Sequence, residues 1–196
     1  MRTAARTALA VAALMAVAAC DRSQVPAASE PAAPEAAAEA APTPAQSAGG
    51  LAIEGEGLRI FDASGAARAI PFGTPQATAI AAVAASVGGA APEVTTNGEC
   101  GAGPIQFAGF SNGLQLLFQN DTFQGWSIDE AGLTTADGMG VGSTRASVEE
   151  SRTIEMVADT TLDGEFTSGD ISGFLSAPTP QGTVTSLHAG LTCFFR

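Results

Sequence analysis

The sequence contains no lysine and no tyrosine, and it has only one histidine and one tryptophan. All 8 basic residues are therefore arginines, and 20 aspartates and glutamates leave a formal net charge of −12. Nucleic-acid binding needs a basic face that neutralises phosphates, so we expect no nucleic acid as a partner. With one histidine and no C-x-x-C motif, the chain also lacks the residues of common zinc sites, and we expect no metal or other cofactor.

The longest uninterrupted apolar run lies near the amino terminus. It covers residues 8–19, which are 12 residues, and Arg2 and Arg6 precede it. A membrane-spanning helix needs about 20 apolar residues. A positive start, a short apolar run and small residues at its end are the parts of a secretory signal. We therefore predict that residues 1–19 form a signal peptide rather than a transmembrane helix.

Cys20 follows that run directly, in the order Val17-Ala18-Ala19-Cys20. This order resembles the lipobox of bacterial lipoproteins, which has an aliphatic residue, two small residues and cysteine. The resemblance implies that Cys20 carries a diacylglycerol thioether, that the signal peptide is removed, and that a further acyl chain such as palmitate caps the new amino terminus. Two or three such chains hold a protein on a membrane. The implied location is the periplasm or cell envelope, on the inner or the outer membrane. Asp21 resembles an inner-membrane retention signal of some bacteria.

The segment after the lipobox has the composition of a tether. Residues 21–50 are mostly Ala, Pro, Glu, Ser, Thr and Gln, with five prolines and no leucine, isoleucine or aromatic residue. Such a segment cannot bury enough apolar surface to offset the entropy lost on ordering. We therefore predict that residues 20–50 form a lipidated, disordered tether with polyproline II character.

Residues 51–196 have the length of one ordinary domain, and two segments within them are alike. Residues 72–79 and 141–148 share a pattern of an apolar residue, a glycine, a hydroxyl residue, one or two polar or proline positions, an alanine and a further hydroxyl residue. Thr74 and Ser143 are good N-cap residues. Both segments therefore predict a sharp turn out of a strand and the start of a helix.

The repeat divides the domain into halves at about 51–130 and 131–196. Each half is predicted to have one helix, at 75–87 and at 144–152, followed by antiparallel strands. The predicted fold class is α+β, with two tandem helix-plus-antiparallel-sheet units whose helices are packed on one sheet face. Apolar alternation and turn signals such as Asn-Gly predict the strands. They cover residues 58–61, 67–72, 104–110, 114–119, 122–129, 162–166, 171–176, 183–188 and 191–195.

The order of elements across residues 72–195 resembles the tandem repeat of the β-lactamase-inhibitor-protein-like fold. It also resembles the small lipoprotein of the outer-membrane assembly machinery. Those families are binding modules whose sheets face a partner, and the resemblance implies the same role here. Phe123 and Trp126 lie on one predicted strand, and two interpretations of them stay open. They are core residues, as large aromatics usually are, or they anchor a protein interface.

Two cysteines, Cys100 and Cys193, remain once Cys20 is assigned to the lipid. Export places them in an oxidising compartment, where two thiols in one small domain usually pair. We predict a disulfide between them. The alternative is a pair of buried free thiols.

A glycine-rich run, Gly138-Met139-Gly140-Val141-Gly142, has the look of a dinucleotide-binding loop. Such a loop works inside a parallel βαβ unit, whereas antiparallel hairpins are predicted on both sides of this run. A dehydrogenase such as aspartate-semialdehyde dehydrogenase would also need a nucleotide domain and a cysteine nucleophile beside a histidine base. Cys100 is far in sequence from His188, so we predict neither nucleotide binding nor this activity.

Two further motifs have a simple structural interpretation. Residues 159–170 have acids at both ends and Gly164 at the sixth place, as in a calcium loop, but the closing glutamate and flanking helices are missing. We predict strand–turn–strand there. His188 with nearby Ser186 has two members of a catalytic triad, but a lone histidine near a strand end is usually structural.

The sequence as a whole predicts a membrane-anchored envelope lipoprotein whose domain is a non-enzymatic protein-binding module for an envelope protein. The competing hypothesis is an envelope enzyme with an unrecognised site, in which Asp129, Asp163 or His188 would take part. A third hypothesis is a purely structural spacer.

Overall fold

The computed structural model describes residues 50–193 of the chain. Cys20, the signal peptide predicted at 1–19 and the tether predicted at 20–50, except for its last residue, lie outside the described residues. Residues 194–196, which include the last two residues of the predicted strand 191–195, are also outside them. What the sequence predicts for these segments stays a prediction.

The described residues are mostly sheet, with two helices, and every strand pairing is antiparallel. The α+β class with antiparallel sheets, predicted from turn signals and alternation, is therefore confirmed. The helices are α1 (Gln76–Val87) and α2 (Arg145–Glu149). The strands are β1 (Leu51–Glu54), β2 (Gly57–Phe61), β3 (Ala67–Pro71), β4 (Val94–Asn97), β5 (Ile105–Gly109), β6 (Leu114–Gln119), β7 (Thr122–Ile128), β8 (Glu155–Met156), β9 (Glu165–Ser168), β10 (Ile171–Leu175) and β11 (Val184–Gly190).

The strands form two sheets. β1, β2 and β3 make a three-stranded meander. The other eight strands make one sheet in the order β4-β5-β6-β7-β11-β10-β9-β8. Two four-stranded meanders thus meet at the centre, where β7 pairs with β11.

Only one face of the eight-stranded sheet belongs to the main core, and we call it the inner face. On β6, Leu114, Leu116 and Phe118 are fully buried on this face. Gln115 and Gln119, which alternate with them, lie on the opposite, outer face and are half-buried. This is the period of two that a half-buried strand imposes. The core also takes in residues of the three-stranded sheet and of α1, namely Ile53, Leu58, Ile70, Ala79, Val83 and Ala84.

Glycine is required where the chain turns into each helix. Gly73 has a φ of 90° and Gly142 a φ of 94°, a region that side chains disfavour. Gly73 N donates to Phe123 O at 2.7 Å, and Phe123 N donates to Thr74 O at 2.8 Å. In the second half, Gly142 N donates to Val184 O at 2.8 Å. Each helix therefore begins beside the first residues of the last strand in its half.

The N-cap predicted for α1 is wrong. Thr74 does not cap the helix, because its hydroxyl donates to Pro71 O at 2.7 Å. Pro75 takes the N-cap position, and no side chain caps α1 there. The carboxyl end follows the prediction, since Gly88 adopts the left-handed conformation that ends many helices.

The second helix is shorter than the predicted range of 144–152, and its cap is displaced by one residue. Thr144, not Ser143, is the N-cap, and its hydroxyl accepts from Ser147 N at 3.2 Å. Ser143 instead accepts a hydrogen bond from Gly140 N at 3.1 Å. Ser143 and Thr144 both have hydroxyls, and the turn geometry places Thr144 at the cap position.

Two predicted strands in the second half of the chain differ from those in the structure. The last one, at 191–195, is wrong where it can be seen, because β11 continues to Gly190 and residues 191–193 form no strand. The strand predicted at 162–166 begins three residues later, as β9. Three strands that the sequence did not predict are β1, β4 and β8. β4 and β8 are edge strands, and their mostly exposed residues carry no apolar alternation.

Candidate functional site

Phe123 and Trp126 lie in the core, so the interface interpretation of these two residues is wrong. Neither has any exposed surface. The rings of Phe72 and Phe123 meet edge to face with centroids 5.1 Å apart. Trp126 Nε1 donates to Glu54 O at 2.8 Å, which joins the central strand β7 to β1. Side chains buried in this way cannot contact a partner.

The structure joins Cys100 and Cys193 in a disulfide, with the sulfurs 2.01 Å apart. Cys100 packs with Ile105 and Leu117 in a small apolar cluster, against which Phe107 and Leu191 also lie. Leu117 alternates with the core residues of β6, so this cluster is on the outer face. The disulfide therefore fastens residues 191–193 over one part of that face.

Removing this disulfide is expected to lower the free energy of unfolding by about 4 kcal/mol, because it closes a loop of 93 residues in the unfolded chain. The measurement is urea unfolding of the Cys100→Ala/Cys193→Ala variant and of the wild type with and without dithiothreitol. The reduced wild type should match the variant. Equal stability of the variant and the untreated wild type would contradict a native disulfide.

The uncovered part of the outer face contains a cleft of about 290 Å³, which we call the outer-face cleft. Strand register explains its composition: His188 pairs with Ser127, and Ser127 pairs with Gln115, so three polar side chains form a row across β11, β7 and β6. The residues that line the cleft are Gly113, Gln115, Ser127, Ile128, Asp129, Ser186, Leu187 and His188.

His188 is held firmly in this cleft. It is only 5% exposed, and its ring lies 5.9 Å from that of Phe174 at an interplanar angle of 32°. Ser186, two residues along β11, shares its face. Asp129 directly follows β7 and lines the same cleft. The structure thus brings together Asp129, Ser186 and His188, whereas Asp163 does not line it.

The glycine-rich run is a turn whose amides are already used. Four of its five backbone N–H groups donate within the protein, so they cannot form a phosphate cradle. The bonds go from Gly138 N to Thr135 O (3.0 Å), Met139 N to Thr135 Oγ1 (2.9 Å), Gly140 N to Ser143 Oγ (3.1 Å) and Gly142 N to Val184 O (2.8 Å).

Residues 159–170, which resemble a calcium loop in sequence, include a β-strand instead. Residues 165–168 of this segment are strand β9, which pairs with β10 through a turn at Gly169 and Asp170. The Thr160 hydroxyl donates to the Glu165 carboxylate. Within residues 50–193, no group of three or more His, Cys, Asp or Glu side chains could hold a metal ion.

A second pocket, of about 380 Å³, lies on the inner-face side and has no counterpart among the sequence predictions. We call it the acidic pocket. It is formed where the β1–β2 turn meets the β9–β10 turn and the chain around Thr135 and Arg152. Its lining comes from segments more than 100 residues apart, which no local motif reveals. These residues are Ile53, Glu54, Gly55, Glu56, Thr135, Ala136, Arg152, Ser168, Gly169, Asp170 and Ile171.

Ion pairs neutralise two of the charges at the acidic pocket. Arg152 donates to both carboxylate oxygens of Asp137, at 2.5 and 2.8 Å. Partial burial acts to raise the pKa of Asp137, but hydrogen bonds from Arg152 and Thr135 and the charge of Arg152 outweigh it, so this pKa is lowered. Arg59 binds the Glu54 carboxylate in the same two-pronged way, and this contact raises the pKa of Arg59.

Comparison with known proteins gives little support for any function. No protein-family model matches the chain, and no curated protein matches its sequence. A crystal structure of the uncharacterized protein yfeY from Escherichia coli is similar over 60% of this chain and 90% of that chain, with 11% sequence identity and a TM-score of 0.40. A likeness of this size transfers neither fold nor function. Among the described residues, no helix is long and apolar enough to cross a membrane.

Proposed function

We propose that the protein is a membrane-anchored lipoprotein of the bacterial cell envelope, held by a lipid on Cys20 and carrying a non-enzymatic protein-binding domain. The anchor is supported by the lipobox-like order that ends at Cys20 and by the short signal-like run before it. The location in the periplasm or envelope follows from the anchor. The binding role is supported chiefly by the outer-face cleft.

We also infer that the domain consists of two tandem units, each with a helix on the inner side of an antiparallel meander. The strand order supports this, since β4-β5-β6-β7 on one side faces β11-β10-β9-β8 on the other. The matching turns support it too. Gly73 N donates to Phe123, the second residue of β7, and Gly142 N donates to Val184, the first residue of β11. Such an arrangement leaves one broad sheet face without helices.

The outer-face cleft is the observation that carries the binding proposal. It combines the carboxylate of Asp129, the hydroxyls of Ser127 and Ser186, and the amide of Gln115 on a rigid central sheet. Groups fixed on paired strands keep their geometry and so bind with little loss of entropy. Because the chain has a net charge of −12, long-range attraction favours a partner with a basic surface.

An envelope enzyme is a second candidate because Asp129, Ser186 and His188 line one cleft, which is the residue set of an acyl-transfer triad. The enzyme candidate requires Ser186 and His188 for catalysis, which the binding proposal does not. A hydrolytic activity that disappears in both Ser186→Ala and His188→Ala, while both variants remain folded, would favour the enzyme over the binding module.

The binding proposal predicts site-dependent crosslinking in cells. A photoreactive phenylalanine analogue at Gln115 or at Ser127 should give an adduct with the same envelope protein, because both positions line the outer-face cleft. The matched control is Ala63, which is exposed in the β2–β3 turn. Asp129→Asn should lower the adduct yield several-fold by removing the carboxylate.

Equal adducts from Ala63, or a yield unaffected by Asp129→Asn, would refute the outer-face cleft as the binding surface. The experiment is read by immunoblot and by mass spectrometry of the adduct, which also identifies the partner.

A further inference from the structure

The acidic pocket keeps two negative charges that nothing in the described part of the protein neutralises. The carboxylate of Glu54 is paired with Arg59, and Arg152 is paired with Asp137. Glu56 and Asp170, at the tips of the two turns, form no ion pair within residues 50–193. The rim of the pocket therefore has an excess of negative charge.

Ser168 adds a second and independent feature. The residue is only 3% exposed, yet its hydroxyl forms no hydrogen bond within the described range. Ser168 pairs with Ile171 across the β9–β10 ladder, so both side chains lie on the inner face, where the pocket opens. Buried hydroxyls almost always have a partner. The Ser168 hydroxyl has no partner from the protein, and it is not among the fully enclosed polar atoms of the described residues, so it is open to water or a ligand in the pocket that it lines.

The interior of the pocket is apolar below this polar rim. Ile53 and Ile171 form part of its lining, and both side chains are almost completely buried. The volume of about 380 Å³ falls in the range of small-ligand sites. A cation that enters the pocket would meet the carboxylates at its rim.

We propose that the acidic pocket binds a primary ammonium or guanidinium group. The source is a free amine or the arginine or lysine side chain of a basic peptide. Glu56 and Asp170 accept charge-assisted hydrogen bonds from the cation, and the Ser168 hydroxyl accepts another. An organic cation fits better than a metal ion, because no cluster of three possible metal ligands exists in residues 50–193. This site is separate from the outer-face cleft and does not depend on the function proposed for it.

The test is isothermal titration of the full chain in detergent. The probes are agmatine, as a free amine, and acetyl-Ala-Arg-Ala-amide, as a peptide; acetyl-Ala-Gln-Ala-amide is the neutral control. At least one cationic probe should bind, more weakly as salt is raised, and the neutral peptide should not. Tighter binding of agmatine would identify a free amine as the source, and tighter binding of the arginine peptide would identify a basic side chain.

Variants locate the site. Asp170→Asn and Glu56→Gln should each weaken binding of the cationic probe about fivefold, because each removes one charged contact. Ser168→Ala should also weaken it, whereas Glu93→Gln, an exposed acid before β4, should not. Circular dichroism verifies that each variant is folded.

Several results would overturn the proposal. These are no heat from either cationic probe at millimolar concentration, equal affinity in Asp170→Asn and the wild type, or binding of calcium with no competition by agmatine. Binding of succinate that is lost in Arg152→Ala would instead make the pocket an anion site.

Discussion

Replacing Trp126 with alanine is expected to lower the free energy of unfolding by about 3–5 kcal/mol. Trp126 has no exposed surface, so truncation leaves a large cavity in the core. It also removes the hydrogen bond from the indole to Glu54 O, which connects the two sheets. The measurement is urea unfolding followed by far-ultraviolet circular dichroism, since the variant has no tryptophan fluorescence.

Two variants make this prediction specific. Trp126→Phe keeps most of the apolar volume but loses the hydrogen bond, and it should cost about 1–3 kcal/mol. Val94→Ala, at a valine that is 37% exposed on the edge strand, should cost less than about 1 kcal/mol. A loss below about 1 kcal/mol for Trp126→Ala would show that the side chain is not part of the core.

Replacing Cys20 with serine is expected to abolish incorporation of labelled palmitate completely. A serine hydroxyl cannot form the thioether that the lipobox resemblance implies. The matched control is Cys100→Ser/Cys193→Ser, which removes the other two cysteines and should keep the label. The measurement is metabolic labelling followed by immunoprecipitation and autoradiography.

Persistence of the label in Cys20→Ser would place the acyl chain elsewhere. Loss of the label in the double variant as well would point to a defect in export rather than in the modified residue. The two variants therefore separate the site of modification from general effects on the protein.

Local chemistry made several elements of the fold predictable. α1 has small and apolar residues at helical spacing and ends at Gly88, which adopts the left-handed conformation as expected. The turn at Asn120 and Asp121 has positive φ at both residues, the geometry that short hairpins need. The ranges predicted for β6 and β7 were correct to within one residue because apolar alternation and turn residues agree there.

Residues that owe their position to tertiary contacts were harder to predict. Trp126 and Phe123 are large aromatics on a strand, a pattern that is more often found in a core but also fits an interface. Burial decided between them, and burial depends on β1, which the sequence did not predict. β4 and β8 are edge strands whose exposed residues carry no period-two signal.

The outer-face cleft and the acidic pocket were likewise hard to predict from the sequence, because their residues come together through tertiary contacts. His188 and Ser186 are neighbours in sequence, so their shared cleft could be anticipated in part. Asp129 joins them only because β7 pairs with β11 at the centre of the sheet. The acidic pocket has no sequence signature at all, since Glu56 and Asp170 meet through contacts between two distant turns.

The most direct test of the lipid anchor is mass spectrometry of the protein purified from membranes. The first residue of the purified protein is expected to be Cys20, with a diacylglycerol on the sulfur and an acyl chain on the amino group. An amino-terminal peptide that begins before Cys20, or one that begins at Cys20 with the mass of an unmodified cysteine, would contradict it.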